Sequence, residues 1–439
     1  MTRLRIVEGR SRIQSELLHR RPLPAPRLGP EQRRVMRGVY GRDLAVADFV
    51  AEVFEEIRGD GLAAAERITR ALGLPWSRDV RLGPASTRAA LADLPRQTRD
   101  DLQFAADRVR AFYEATMPNP GPVGIGGCWQ RFHPVKVAGI YAPGGRAVYP
   151  SSLLMTAIPA RVAGVSEIVV ASPPGPGGDV SQVVLAAAAV AGVDAVYALG
   201  GAQAIAAMAL GAAPLPRADV LAGPGNIFVV LALRHAFGAA GVPSLPGPTE
   251  TLIVADNGAD PAHVAADLLA QAEHDPLASP LLLTDSAELA AAVESELEGQ
   301  LADLPRADIA SAALAQNGGV GLLADLSEAV DLVDQYAPEH LCLLGDRAAE
   351  LADSITGAAG VFVGDWSPEV LGDYVAGPSH VMPVGGTARF SSPVSVYDFL
   401  KRVNRFELSR QQARPLFAVA ARLARLEGLE GHARAAERR

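Results

Sequence analysis

From Val135 onward, short aliphatic runs recur at roughly the length of a βαβ unit, and that rhythm leaves few folds open. The first runs are VKVAGIY (Val135–Tyr141), EIVVAS (Glu167–Ser172), AVYALG (Ala195–Gly200) and ADVLAG (Ala218–Gly223), with helical patterns between them. A second series keeps the same beat: TLIVAD (Thr251–Asp256), PLLLTD (Pro280–Asp285), GLLAD (Gly321–Asp325) and VFVGD (Val361–Asp365). Strands alternating with helices make parallel sheets, so the expected class is α/β with two doubly wound, Rossmann-like modules. Their like rhythm suggests an old duplication, although no residue-level repeat is visible.

Around these modules the pattern changes. The first thirty residues are basic, and Pro-rich near Arg21 to Pro30. They are expected to form an arm rather than a core element. Arg42 to Thr116 reads as helical, with apolar residues three and four apart in Leu44–Ile57 and Leu102–Ala115. Asp260-Pro261 has the form of an N-cap followed by Pro at the first helical position, and opens a helix toward Gln271 and His274. A helix is expected from Ser286 to Leu304 and another from about Arg410 to Leu426. The C-terminal tail has little room for a core of its own and is expected to dock on something, such as a partner subunit.

Composition narrows the function classes. A chain of 439 residues with 49% hydrophobic and 20% charged residues is globular. Its net charge of −9 argues against nucleic acid or an anionic membrane as partner. Cys128 and Cys342 are far apart, which fits a reduced, cytoplasmic protein better than a secreted disulfide scaffold. MTRLRIVEGRSR lacks the apolar run of a signal peptide. The most apolar stretch, Val183–Pro214, is broken by Asp194 and Gly200-Gly201 and reads as soluble core.

Histidine is scarce, eight in all, yet His274, His340, His380 and His432 sit in short polar motifs flanked by Gly or Pro. Gln271 and His274 are three apart, a spacing that puts both on one helix face. Imidazole is a good zinc ligand and an amide oxygen a weak one, so alone the pair fits a solvated helix face equally well. Asp373, in a tight loop, and His432, near the end, would bring the set to two nitrogen and two oxygen donors. Glu339-His340 in YAPEHL has the form of an acid/base pair, though EH is common by chance. Three Gly-containing turns, Pro143–Gly145, Gly200–Ala206 and Gly223–Asn226, follow expected strands at their carboxyl ends, where open α/β sheets bind ligands. None carries the GxGxxG fingerprint, and simple βα turns explain them equally well.

Taken together, YAPGG, GGAQAIAA, GPGN, GPTETLIVAD, LLAQAEHD, YAPEHL, GDYVAGPSHVMP, SSPVSVYDF and EGLEGH resemble the histidinol dehydrogenase family, in order, over about Arg42 to His432. The resemblance implies a zinc-dependent homodimer that oxidises L-histidinol to L-histidine through the aldehyde with two NAD+, the last step of histidine biosynthesis. It implies Gln271, His274, Asp373 and His432 as metal ligands that also face the substrate, and Glu339 and His340 as the acid/base pair. Substrate contacts fall on Thr249, His380 and Glu427, and dinucleotide contacts on Tyr141, Gln203 and Asn226. The tail is implied to cross to the partner subunit. The matching domain division is an arm (1–29), a first α/β domain (30–140 and 249–393), a nucleotide-binding domain (141–248) and a dimerisation tail (394–439). Two departures stand out: Pro243 takes the place of the Asp expected shortly before the GPTE motif, and Leu233 and Arg234 stand where a Lys is usual. Three alternatives stay open: a sister zinc enzyme acting on another polyol such as a sulfonated propanediol, a zinc hydrolase without redox chemistry, and a non-catalytic binding module.

Overall fold

Each series of apolar runs forms its own parallel sheet in the computed structural model, which describes residues 4–20, 30–119, 121–144 and 148–439. The larger sheet contains β1 (Arg5–Glu8), β9 (Glu250–Ala255), β10 (Ser279–Thr284), β11 (Gly319–Leu322), β12 (His340–Leu344) and β13 (Gly360–Val363), in the order β1-β11-β10-β9-β12-β13. The smaller contains β2 (Arg81–Leu82), β5 (Val137–Tyr141), β6 (Glu167–Ser172), β7 (Ala195–Ala198) and β8 (Val220–Ala222), in the order β2-β7-β6-β5-β8, with β2 the antiparallel edge. Counted in chain order, β5–β8 and β9–β12 share one spatial order, third-second-first-fourth; β12 was not among the expected runs, and VFVGD falls on β13 at the edge beyond it. That shared order is the form a duplication would leave. A third, antiparallel sheet joins β3 (Val123–Ile125), β4 (Cys128–Pro134) and β14 (Leu400–Phe406).

The beginning of the chain departs from expectation. β1 pairs in parallel with β11, from Arg5 opposite Gly319 to Glu8 opposite Leu322. Val7, Ile13 and Leu17 are buried behind it. The fit depends on small residues in the partner strand: a Cβ at Gly319 would lie 2.5 Å from Leu17 Cδ1. The segment expected to be an arm is therefore an edge strand, Arg5–Glu8, followed by a helical stretch that packs on the sheet as far as Leu17. Residues 21–29, most of the Pro-rich stretch, lie outside the described residues, as does Gly145 of the Pro143–Gly145 turn.

The helices also divide differently from the expected domains. Val46–Asp60 and Leu62–Ala71 bury Phe49, Val53, Phe54 and Ile68 against Tyr141, Val169 and Tyr197 of the smaller sheet. Arg96–Ala115 buries Ala106, Val109 and Tyr113 on the opposite face, against Ile140, Ile168 and Val196. Residues 46–115 thus share a core with the smaller sheet, not with the larger one. Proximity in sequence to β2 and β5 explains this, since short connections favour neighbouring elements.

The larger sheet has its own two-faced core. On one face lie the helices Pro261–Ala272 and Ala287–Leu301, and on the other Ala329–Tyr336 with Ile13 and Leu17. Asp260 caps the first of these helices, its carboxylate accepting from the Ala262 amide at 2.8 Å. That helix ends at Ala272, so His274 lies just beyond it rather than on its face. The His274 amide donates to the Gln271 carbonyl at 3.2 Å, a turn that keeps the two residues together.

Candidate active site

The expected catalytic residues gather at the amino ends of β9 and β12 and on the short helix Glu369–Tyr374. Thr249 precedes β9, Glu339 precedes β12 and His340 opens it. Parallel pairing of β9 with β12 sets His340 opposite Thr251. Open α/β sheets usually bind ligands at carboxyl ends. Here the amino edge of the larger sheet meets the carboxyl edge of the smaller, where the helix Pro150–Val162 follows β5. Ser152 of that helix makes the join, its Oγ lying 2.8 Å from His380 Nε2.

One continuous polar chain runs through the site. Thr249 Oγ1 lies 2.8 Å from both Gln271 Oε1 and Glu339 Oε2. A hydroxyl has a single proton, so it donates to one of these oxygens at a time. The Glu250 amide donates to Glu339 Oε2 at 3.1 Å. His340 Nδ1 faces the Glu250 carbonyl at 3.3 Å and Glu339 Oε2 at 3.6 Å. Both are acceptors, so Nδ1 carries a proton. His340 Nε2 is buried without a hydrogen-bond partner, and Asp373 Oδ1 lies 3.7 Å away. His380 Nδ1 donates to the Asp373 carbonyl at 2.7 Å, which leaves its Nε2 to accept from Ser152. His274 is exposed yet near enough to interact electrostatically with Asp373 and His340.

Burial and charge compete in this cluster. Burial pushes the Glu339 carboxyl up to about 7, against the pull of His340 and the Thr249 hydrogen bond. Burial alone would lower the His340 imidazole, but Glu369, Glu339 and Asp373 outweigh it and raise it to about 10. Burial pushes His380 down, in keeping with a neutral ring held between a carbonyl and a hydroxyl.

Two acids here had no motif to announce them. Glu369 is 1% exposed, and its carboxylate accepts from Cys342 Sγ at 3.1 Å and Thr251 Oγ1 at 2.9 Å. It lies one helical turn before Asp373, a spacing that could have flagged it. Asp267 lies a turn before Gln271, and burial together with the Glu369 charge pushes it up to about 7.

The remaining expected residues lie elsewhere. Glu427 and His432 are exposed on the tail, and none of their described interactions reaches the cluster. Among the described residues of one chain, no three His, Cys, Asp or Glu side chains gather closely enough to hold a metal ion. An amide oxygen, an imidazole and a carboxylate from Gln271, His274 and Asp373 are donors that suit zinc, and as a set of three they leave the fourth position of a tetrahedral ion to another donor. Tyr141, Gln203 and Asn226 cluster at the carboxyl edge of the smaller sheet. Gln203 and Asn226 line a cavity of about 260 Å³ together with Met36, Phe49 and Leu72. The Tyr141 hydroxyl accepts from the Gly201 amide at 3.1 Å on its border. Asn226 Oδ1 is occupied in capping the helix Ile227–Ala236, which leaves its NH2 free to donate. Gly223 is obligatory beside them: its φ is +130°, and a Cβ there would lie 2.2 Å from the Tyr141 carbonyl oxygen.

The histidinol dehydrogenase family model matches residues 40–439. The chain belongs to the histidinol dehydrogenase family. It is therefore an NAD-dependent oxidoreductase. It is 48% identical to a histidinol dehydrogenase of Thermus thermophilus, covering 90% of this chain and 95% of that protein. It is 46% identical to one of Deinococcus radiodurans, over 91% and 92% of the two chains. The crystal structure of histidinol dehydrogenase from Elizabethkingia anophelis superposes with a TM-score of 0.89 at 30% identity, covering 99% of this chain and 97% of that one. An acetylating aldehyde dehydrogenase from Geobacillus thermoglucosidasius, 12% identical with a TM-score of 0.50, shares the fold alone. Membership in a dehydrogenase family gives no support to the hydrolase and binding-module alternatives. Among the described residues no helix is long and apolar enough to cross a membrane.

Proposed function

We propose that this cytoplasmic enzyme oxidises L-histidinol to L-histidine through the aldehyde, using two NAD+ and one zinc site per chain, as the last step of histidine biosynthesis. The main support is the convergence of Thr249, Gln271, Glu339, His340, Asp373 and His380 at the seam between two doubly wound, Rossmann-like modules. Gln271, His274 and Asp373 would hold zinc together with His432 of the partner subunit, and the pocket beside Tyr141, Gln203 and Asn226 would take the dinucleotide. When bound, zinc supplies a fixed anchor for the substrate nitrogens and NAD+ supplies the hydride acceptor.

The chain's own residues do the proton work. His340 receives the alcohol proton at Nε2, the buried ring atom that has no hydrogen-bond partner among the described residues of the chain. Asp373 is one of the carboxylates that keep this imidazole protonated. Engaging its charge on a ligand returns His340 toward the neutral form a base requires. Glu339 takes a proton from water in the aldehyde step, and an acid near 7 suits that exchange at neutral pH. Thr249 and the Glu250 amide hold the Glu339 carboxylate in place. His380, fixed by Ser152 and the Asp373 carbonyl, and Thr249 present polar atoms to the substrate, with Glu427 of the partner subunit.

Two uncovered surfaces support a homodimer. Leu416, Val419, Leu423 and Leu426 form one exposed stripe on the tail helix Arg410–Leu426. Trp366, Val370, Leu371 and Tyr374 form an exposed patch around Asp373. Tails crossing between subunits would cover both and bring a histidine to the metal set. Metal analysis and NADH counting test the reading. Stoichiometric zinc and two NADH per histidinol are expected, and one NADH per histidinol would overturn the four-electron reaction.

A further inference from the structure

Arg20 reaches the back of the site from a part of the chain that precedes residues 40–439, the span matched by the family model. Its guanidinium forms a two-pronged ion pair with Glu250, through Nη1 to Oε1 and through Nη2 to Oε2 at 2.8 Å. Nε donates to the Tyr336 carbonyl at 2.9 Å, and Nη2 also reaches the Ala337 carbonyl at 3.1 Å. The guanidinium plane lies over the Tyr336 ring, 4.0 Å from its centroid. Arg20 is a quarter exposed and Glu250 is buried.

Both things that this side chain grips bear on Glu339 and His340. Ala337 is the one non-glycine with positive φ among the described residues, at +49°, and it stands before Pro338. An Ala in that conformation is strained by about 1–2 kcal/mol, and such strain persists only where surrounding contacts over-determine it. Arg20 supplies those contacts, holding the carbonyls of Ala337 and its predecessor. On the other side, Glu250 donates its amide to Glu339 and offers its carbonyl to His340 Nδ1. Gly385 completes the hold on the Glu250 carboxylate, its amide lying 3.1 Å from Oε1. A planar fork can serve two carbonyls and two carboxylate oxygens at once; an ammonium cannot match that geometry.

We infer that Arg20 is a positioning residue for the reaction, one guanidinium fixing both the strained turn before Glu339 and the Glu250 backbone that orients His340. Its described bonds run to Glu250, Tyr336 and Ala337, and it acts on the reacting groups through them. The inference rests on the acid/base roles proposed for Glu339 and His340.

The test compares R20A, R20K and H340A with the parent enzyme, with folding checked by circular dichroism and NAD+ binding. Folded R20A is expected to lose between about tenfold and a hundredfold in kcat, the scale of a small misplacement of reacting groups. KM for histidinol and zinc content should stay close to the parent values. Added guanidinium should restore part of the lost kcat, whereas butylammonium should not. R20K, which keeps the charge and packs in the same space, should fold and still show the reduced kcat. Should R20A not fold, R20K alone carries the comparison. Parental kcat in either folded variant would overturn the inference, as would a loss confined to KM or an absence of guanidinium recovery. H340A separates the two readings: if it is inactive while R20A is normal, only the positioning role fails, and if H340A is active, the acid/base assignment fails.

Discussion

At the scale of single residues, Glu339 sits where burial and hydrogen bonding pull in opposite directions. Its carboxyl is raised to about 7, and only the ionised form can take a proton from water. Oxidation of the aldehyde should therefore rise as pH climbs through about 7 and level off above it. Glu339→Gln should lose that limb and about 10²–10⁴ of the aldehyde rate, with the first oxidation largely spared. Single-turnover kinetics on histidinol and on the aldehyde check both points, and an equal loss in the two steps would refute the division of roles. Glu339 and His340 were legible in the sequence because YAPEHL is a local string whose order resembles a known family. Arg20 was not. It belongs to no motif, and its partners, Glu250, Tyr336 and Ala337, come together only when β9 and β12 pair.

Among the elements, the short helix Glu369–Tyr374 carries more than its length suggests. It presents Asp373 to the site, and Glu369 pins it to the sheet through Thr251 of β9 and Cys342 of β12. Removing the carboxylate by Glu369→Ala would leave both donors buried without acceptors, which costs roughly 3 kcal/mol. Chemical denaturation should show that loss, with Glu369→Gln losing less because its amide can still serve these neighbours. Zinc content should fall in the Ala variant as Asp373 loses its anchor. A Glu369→Ala protein of parental stability would show that the helix is held by something else. Elements with local signals were readable: Asp260-Pro261 announced its helix, and the aliphatic runs announced β5 to β7, β9 and β10. β1 was not, because four residues of ordinary composition become a strand only against β11. His274 was expected on a helix face and stands just past the helix end, since periodicity does not mark where a helix stops.

On the scale of the whole molecule, the tail is the element least explained by one chain. Its helix buries only Ala421, while Leu416, Val419, Leu423 and Leu426 face outward. Leu423→Asp should convert a dimer to a monomer in sedimentation velocity, and zinc occupancy and activity should fall together with the mass. A variant that remains dimeric and loaded would move the interface elsewhere. That the motifs converge at one seam could be expected only from the resemblance, because pairing between distant segments leaves no trace in local spacing. The pairing of β1 with β11 carries a consequence for biogenesis. β1 is synthesised well before its hydrogen-bonding neighbour, which begins only at Gly319. Val7, Ile13 and Leu17 share their core with Leu281 and Leu283 on one side of that point and with Leu332 and Val333 on the other, so β1 stays without its backbone partner until the chain beyond Gly319 is made.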